Sequence, residues 1–295
     1  MNNSKKRITS LDILLLAVII GVLSTLSYHI VTQLNYHWDW SVIPNYIIRY
    51  DHTTDTWKAG QLTQGLLVTL RLSVWSIIFA LIIGTVMGIL RVSPRPLYRM
   101  ISSSYVGLIR NIPPLVLIFI FYYFLGDQLM NATGITDLSY SLDDKSFPFL
   151  TFLLGPVEQL PAFLSGVITM SLFEGAYITE IVRSGIESIP VEQWEASKAQ
   201  GLNRRKQLIY IILPQAFAQS LPTLAGQFIS TIKDSSIVSI ISIQELTFAG
   251  QELMSATYRT FEIWSVVIVL YFLLTFPCSI AVRALEKKMN RYKRE

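Results

Sequence analysis

Long apolar runs separated by short polar segments are the dominant pattern along the chain. An α-helix needs about 20 mostly apolar residues to cross a bilayer, and six runs reach or approach that length. They cover residues 11–34, 65–90, 112–130, 161–182, 208–231 and 263–282. Because a helix satisfies its backbone hydrogen bonds internally, these runs predict an all-α integral membrane protein with about six transmembrane helices.

Two further apolar pieces, 147–154 and 237–243, are too short to cross a bilayer. We interpret them as interfacial or re-entrant helices that rest on protein. Little polar sequence remains outside the apolar runs, so the pattern predicts no separate soluble domain.

Composition agrees with a membrane protein. Hydrophobic residues make up 52% of the 295 positions and charged residues only 15%, whereas ordinary globular domains carry about 25% charged residues. The single cysteine, Cys278, excludes a disulfide framework. His, Cys and carboxylate residues show no metal-ligand or nucleophile spacing, so we predict neither a metal site nor a catalytic site.

Basic residues are distributed unevenly between the loops. If the amino terminus is cytoplasmic, the inside segments hold 16 Lys and Arg residues and the outside segments hold 5. The inside segments are 1–10, 91–111, 184–207 and 284–295, and the outside segments are 35–63, 131–160 and 232–261. This asymmetry predicts that both termini are cytoplasmic. The basic tail, 288–295, indicates contact with anionic lipid and not with nucleic acid.

The first apolar run follows basic residues, as the core of a secretory signal does. It is long for a signal peptide, and no clear small-x-small cleavage site follows it. We therefore interpret it as a retained anchor helix.

The fourth run carries ionisable residues where lipid is expected. Glu174, Glu180 and Arg183 lie in or near it, and an ionised group there costs at least a few kcal/mol unless it is paired or hydrated. Glu180 shares a helix face with both Tyr177 and Arg183. Two interpretations stay open: an ion pair that fixes helix register, or a polar wall of a solute path.

A second pair of charges, Lys233 and Asp234, directly follows the fifth run and precedes the short piece 237–243. Charges beside a broken helix are typical of cavities in transporters. A surface cap on the fifth helix produces the same pattern, so both interpretations stay open.

A polar segment, SIPVEQWEASKAQGLNRRKQL, separates the fourth and fifth runs. The residues after Pro190 favour helix, and Gly201 is a typical helix stop. A helix of about ten residues is marginal alone in water. We therefore expect a separate protein to receive it.

This segment resembles the Glu-Ala-Ala-x₃-Gly-x₉-Ile-x-Leu-Pro motif of permease subunits of binding-protein-dependent ABC importers. The matching residues are Glu195, Ala196, Ser197, Gly201, Ile211, Leu213 and Pro214. The one departure is Ser197 in place of the second alanine, and serine is also small and tolerated in helices. The resemblance implies that these residues couple the chain to an ATPase subunit.

The stretches RNIPPLVLIFIFYYFLG, AYITEIVRSGI and KDSSIVSIISIQEL resemble the polar amino acid branch of these permeases, which includes histidine, glutamate, glutamine and arginine permeases. The resemblance implies a permease domain at 64–287, after an anchor helix and outside loop at 1–63 and before the cytoplasmic tail 288–295. Residues expected near the translocation path are Glu174, Tyr177, Glu180, Arg183, Lys233 and Asp234.

The resemblance also implies partners. In this family two permease subunits, identical or related, form the path in the bacterial inner membrane, and an ATPase dimer uses ATP and Mg²⁺. An extracytoplasmic amino-acid-binding protein delivers the substrate. The chain has no Gly-Lys dipeptide and hence no phosphate-binding loop of its own, so we expect a transport subunit that is not an enzyme and binds no cofactor.

A gradient-driven secondary amino acid transporter is the main alternative, since six helices without ATP machinery permit it. A membrane-embedded enzyme and a channel are weaker alternatives. The substrate stays open, because Glu174 and Glu180 favour a cation whereas Arg183 and Lys233 favour an anion.

Overall fold

The computed structural model describes residues 10–33, 36–53, 55–141 and 147–292, in two compact units, Met1–Ser41 and Val42–Glu295. The first unit contains helix α1, Ser10–Gln33, of 24 residues, which at 1.5 Å per residue is about 36 Å long. Its apolar part with described side chains is Ser10–Val22, and those side chains are exposed. Positions 1–9 and 34 of the predicted anchor lie outside the described residues.

The second unit begins with a short helix and a hairpin. Helix α2, Ile43–Ile47, leads into strand β1, Ile48–Asp51, which pairs antiparallel with strand β2, Thr56–Ala59. Tyr50 lies opposite Trp57, and the two rings pack edge to face with centroids 5.1 Å apart. The Gly60 amide then donates to the Ile47 carbonyl over 2.8 Å, which ties the hairpin to the following helix.

The remaining elements are all helical. In the first half of the second unit they are α3 (Gln61–Arg91), α4 (Pro96–Asn111), α5 (Pro114–Ile120), a π-helical turn (Phe121–Gly126), α6 (Asp127–Ala132), α7 (Ile135–Ser141), α8 (Pro148–Leu154), a 3₁₀ turn (Val157–Gln159) and α9 (Leu160–Glu187). In the second half they are α10 (Val191–Ala199), α11 (Arg204–Lys206), a π-helical turn (Gln207–Ile212), α12 (Leu213–Asp234), a 3₁₀ turn (Ser235–Ile241), α13 (Leu246–Thr257) and α14 (Thr260–Tyr292).

Five stretches of the described chain are long and apolar enough to cross a membrane. They are Gln61–Arg91, Pro114–Ala132, Val157–Glu187, Arg204–Ile241 and Thr260–Met289. Each overlaps one of the last five predicted runs, so these predictions are confirmed. Helix α14 continues to Tyr292 and so includes the start of the predicted basic tail, whose positions 293–295 lie outside the described residues.

The two short apolar pieces have different surroundings. Helix α8 has no buried residue, but the carbonyl of Leu153 accepts a hydrogen bond from the indole of Trp75 on α3 over 3.2 Å. The second piece is not a separate helix, because its first part is a 3₁₀ turn that continues directly from α12. Val238 and Ile241 in this turn are buried in the core, which confirms that it rests on protein.

Close approach of α3 and α9 organises the core. A Cβ atom added at Gly84 of α3 would lie 2.6 Å from the Ile178 Cβ of α9, and one added at Gly88 would lie 2.8 Å from the Val182 Cβ. Real side chains do not approach so closely, so the two glycines, four residues apart, allow the contact. The buried cluster built on it includes Ile178, Val182 and Ile186 and extends to Ile212 and Ala216.

Candidate functional site

Helix α10 projects between α9 and α11, and its end is set by a glycine. Gly201 has φ of +78°, the left-handed conformation that residues with a Cβ atom rarely adopt. Its amide donates to the Lys198 carbonyl over 2.9 Å, and the Leu202 amide donates to the Ser197 carbonyl over 3.3 Å. These bonds satisfy carbonyls at the end of the helix, so the predicted stop at Gly201 is confirmed.

Most of α10 faces away from the chain. Glu195 and Ala196 are exposed, as are the other α10 residues apart from Trp194 and Ser197. Ser197 is 2% exposed, and its hydroxyl donates to the Trp194 carbonyl over 2.8 Å. Because the buried hydroxyl is satisfied within the helix, serine at this position leaves no unpaired polar group.

The base of α10 is attached to the membrane helices. Trp194 packs against the cluster that contains Ile186 and Ile189, and the guanidinium carbon of Arg204 lies 3.9 Å from the centre of its ring. The chain itself therefore supplies part of the packing that this short helix needs, and the expectation that a separate protein receives it stays a prediction. The exposed face remains available for another protein.

The second half of the motif lies where the fifth span begins. Ile211 and Leu213 are partly buried against the same cluster as Trp194, whereas Pro214 is exposed. Pro214 has no N–H to donate to the preceding turn, and the chain is π-helical just before it, from Gln207 to Ile212. These residues thus join the base of α10 to α12.

The ion pair considered for α9 is present. Arg183 Nη2 lies 2.8 Å from Glu180 Oε2, and Arg91 Nη2 from α3 lies 3.4 Å from Glu180 Oε1. Arg183 also pairs with Glu187. Glu180 and Arg183 line a cavity of about 510 Å³ together with Gln219 of α12. The ion pair is thus present, and its charges also line a polar cavity; that this cavity belongs to a solute path stays a prediction.

A second group surrounds Glu174, which is fully buried. The Gln227 amide of α12 donates to Glu174 Oε2 over 2.7 Å, and Asp234 is close enough to interact electrostatically. Glu174 Oε1 has no hydrogen-bond partner among the described residues. A buried carboxylate oxygen without a donor is costly, so this group is suited to receive one.

The other two candidates occupy different surroundings. Tyr177 packs edge to face on Phe173 at 5.3 Å, and the guanidinium carbon of Arg110 lies 5.6 Å from the centre of the Tyr177 ring. Lys233 is exposed and interacts electrostatically with Asp234. The six predicted path residues thus form a Glu180 group, a Glu174 group and an aromatic contact at Tyr177.

Sequence reasoning missed Glu245, which is fully buried and connects three helices. Its carboxylate accepts hydrogen bonds from the Phe248 amide at the start of α13 (2.8 Å), from the Tyr271 hydroxyl of α14 (2.8 Å) and from the Thr69 hydroxyl of α3 (3.3 Å). Burial raises the pKa of the Glu245 carboxyl above its ordinary value, and the hydrogen bonds oppose that shift. The available sequence signal was an acidic residue in the N-cap position before the apolar start of α13.

Comparison with known proteins gives consistent results. Residues 66–291 match the family described as binding-protein-dependent transport system inner membrane component. The L-cystine transport system permease protein TcyB of Bacillus subtilis is 34% identical over 233 residues, covering 78% of this chain and 87% of that protein. The glutamine transport system permease protein GlnP of Escherichia coli K12 is 32% identical over 229 residues, covering 78% and 93%. A crystal structure of an amino acid ABC transporter with histidines superposes with a TM-score of 0.64 at 26% identity, covering 86% of this chain and 100% of that one.

Proposed function

The chain belongs to the family of binding-protein-dependent transport system inner membrane components, and from this premise we propose that it forms the translocation path of an ATP-driven amino acid importer. The main observation in support of this proposal is that residues 66–291 match that family. The chain is thus a multi-pass permease subunit of an ABC transporter in the inner membrane. This membership favours an ATP-driven importer over a gradient-driven secondary transporter.

The substrate class rests on the relatives. Proteins named for the transport of L-cystine and of glutamine align with more than three quarters of this chain. We propose a polar amino acid as substrate, delivered on the outside by a binding protein.

Coupling is assigned to α10. Its exposed face carries Glu195 and Ala196, and its base is attached to α9 and α12 through Trp194, Ile211 and Leu213. Movement of this helix is thereby transmitted to two spans. Since the chain has no phosphate-binding loop, ATP and Mg²⁺ are bound by a separate ATPase dimer that receives α10, and a second permease subunit, identical or related, completes the path.

The Glu174 group is the proposed contact for the substrate ammonium. Every free amino acid carries this cationic group, and Glu174 Oε1 accepts no hydrogen bond of ordinary geometry among the described residues, although Thr231 and Asp234 lie near the carboxylate. Gln227 fixes the other oxygen, so the carboxylate is held in one orientation. The cavity beside Glu180 and Arg183 forms a separate polar part of the path, and alternating access exposes the path to each side in turn.

The overall proposal is tested by purification and reconstitution. The tagged chain is isolated from its native membrane, its bound proteins are identified by mass spectrometry, and the complex is placed in vesicles with the co-isolated binding protein. We expect an ABC ATPase to co-purify, and uptake of labelled glutamine or cystine to require ATP inside the vesicles and to persist when the proton gradient is dissipated. Uptake by this chain alone, driven by a gradient, would overturn the proposal.

The contact at Glu174 is tested with Glu174→Gln in the same complex. A hydrogen bond to a charged group contributes about 1.5–3 kcal/mol, so we expect the KM for uptake to rise by at least about 10-fold while the ATPase still co-purifies. Glu158→Gln, at an exposed outer position, is the matched control and should leave uptake unchanged. An unaltered KM in Glu174→Gln would remove this residue from the path.

A further inference from the structure

A cavity of about 450 Å³ lies where the first and fourth of the five spans approach the polar segment that contains α10. Its wall includes Ile89 and Leu90 at the end of α3 and Leu208 at the start of the Gln207–Ile212 turn. Three arginines also line it: Arg95, Arg204 and Arg205. The cavity does not overlap the proposed path residues.

The charge of this cavity is entirely positive. No acidic residue lines it, and within the described ranges the structure records no ion pair to any of the three arginines. No carboxylate among the described residues therefore neutralises their combined charge. An anion that reaches the cavity meets three guanidinium groups.

Two of these arginines are held in place by aromatic rings. Arg95 Nη1 donates to the Tyr98 hydroxyl over 3.1 Å, and the Arg204 guanidinium stacks on Trp194 with its carbon 3.9 Å from the ring centre. Stacking uses the face of a guanidinium and leaves N–H groups at its edge for an anion. These contacts fix the arginines while preserving their charge.

The apolar wall determines which anion fits. Ile89, Leu90 and Leu208 lie at the ends of stretches long and apolar enough to cross a membrane, so we expect acyl chains to reach the level of the neighbouring arginines. A soluble anion would leave this wall in contact with water, whereas a phospholipid covers it with hydrocarbon and presents its phosphate to the arginines. Basic pockets between transmembrane helices are suited to anionic headgroups.

We propose that this cavity binds one anionic phospholipid, of the phosphatidylglycerol type, from the leaflet on the α10 side. The phosphate lies among Arg95, Arg204 and Arg205, and an acyl chain covers Ile89, Leu90 and Leu208. Because Arg204 also stacks on Trp194 of α10, the lipid contacts the residues that hold α10 at the membrane. Binding itself does not depend on the transport proposal, and failure of one leaves the other intact.

The test is native mass spectrometry of the full-length, delipidated chain in detergent, titrated with phosphatidylglycerol or phosphatidylcholine of equal chain length. We expect one phosphatidylglycerol to bind at least about 10-fold more tightly than phosphatidylcholine, since each basic residue near a membrane surface adds about 1 kcal/mol of attraction to anionic lipid. Equal affinity for the two lipids would overturn the proposal.

The variant Arg95→Gln/Arg205→Gln removes two charges from the cavity and leaves Arg204, which stacks on Trp194, unchanged. This variant should lose the preference for phosphatidylglycerol over phosphatidylcholine. Arg99→Gln/Lys206→Gln removes two charges from exposed neighbouring positions outside the cavity lining and is the matched control. Retained preference in the cavity variant, or equal loss in both variants, would refute a specific site.

Two further measurements on the unaltered chain need no variant. Phosphatidylglycerol with six-carbon chains should bind more weakly than the long-chain lipid, because it covers less of the apolar wall. Inorganic phosphate at millimolar concentration should fail to displace the long-chain lipid. Displacement by phosphate, or affinity independent of chain length, would show a site for a soluble anion and overturn the lipid assignment.

Discussion

At the scale of single residues, the left-handed turn at Gly201 controls how α10 is presented. The backbone there has φ of +78°, and a Cβ atom added at this position would meet nothing within 4 Å. A substitution is therefore opposed by backbone strain of about 1 kcal/mol or more and not by a clash. The geometry of the turn, and with it the direction of α10, depends on this conformation.

We predict that Gly201→Val weakens both ATPase retention during purification and ATP-dependent uptake, because a β-branched residue resists the left-handed region. Asparagine tolerates that region, so Gly201→Asn is the matched control and should retain most of both activities. The same loss in the two variants would show that the side chain, and not the backbone conformation, matters at this position.

The buried carboxyl of Glu245 leads to a prediction about how the stability of the protein depends on pH. Burial raises the pKa of its carboxyl in the folded protein above the ordinary value of the unfolded chain, so between the two values the folded state binds more protons. The Glu245 carboxyl therefore stabilises the folded protein at low pH. This stabilisation is lost as the pH rises through the pKa of the carboxyl in the folded state. The amide in Glu245→Gln does not titrate.

We therefore expect the melting temperature of the unaltered protein, relative to that of Glu245→Gln, to increase as pH is lowered from 7 to 4, a range that extends below the ordinary carboxyl pKa. Thermal unfolding in detergent across this range measures the difference, in which the other titrating groups largely cancel. A difference that is flat, or that decreases toward low pH, would contradict the raised pKa.

At the scale of elements, the contact between α3 and α9 makes the strongest prediction about stability. A Cβ atom at Gly84 would approach the Ile178 Cβ and the Gly175 carbonyl oxygen, so the helices must separate to accept one. We expect Gly84→Ala to destabilise the protein by about 1–3 kcal/mol, measured as a lower melting temperature in detergent.

Gly107 on α4 is the matched control for Gly84, because an added Cβ meets nothing within 4 Å there. Alanine has a higher helix propensity than glycine by about 1 kcal/mol, so Gly107→Ala should be neutral or stabilising. Equal destabilisation by the two substitutions would mean that close helix approach is not what Gly84 provides.

The sequence predicts elements better than it predicts contacts between them. Five spans follow from the apolar runs, because a helix must match the thickness of the bilayer regardless of its neighbours. The turn Ser235–Ile241 was not recognised as a continuation of α12, since the charges at Lys233 and Asp234 mark a helix end in sequence terms. The hairpin of Ile48–Asp51 with Thr56–Ala59 lies in a segment for which the sequence predicts only an outside loop.

In the candidate sites, too, features set by nearby residues can be predicted from the sequence, whereas contacts between distant residues cannot. The end of α10 follows from one local signal, Gly201, and the pair Glu180–Arg183 follows from its spacing on one helix. The partners of Glu245 are different, because Thr69 is 176 residues away and Tyr271 is 26 residues away. Gln227 is likewise 53 residues from Glu174. No local pattern indicates which of many polar residues in spans will meet.

At the scale of the whole molecule, the transport proposal requires α10 to be on the cytoplasmic side, whereas the lipid proposal requires only that the lipid come from the leaflet next to α10. The count of 16 basic residues against 5 predicts this orientation. Exposed reporter positions are available on each predicted side: Thr53 in the hairpin turn, and Lys198 on α10. The lone native thiol, Cys278, can be removed by Cys278→Ser so that a single cysteine reports its own side.

In that background we predict that Thr53→Cys reacts with a membrane-impermeant maleimide in intact spheroplasts, whereas Lys198→Cys reacts only after the membrane is permeabilised. Both positions are exposed, so a difference in labelling reports the side of the membrane and not burial. Labelling of Lys198→Cys from outside would invert the orientation. It would also place α10 where no ATP-consuming partner can reach it, because an ATPase that receives this helix must share its compartment with ATP.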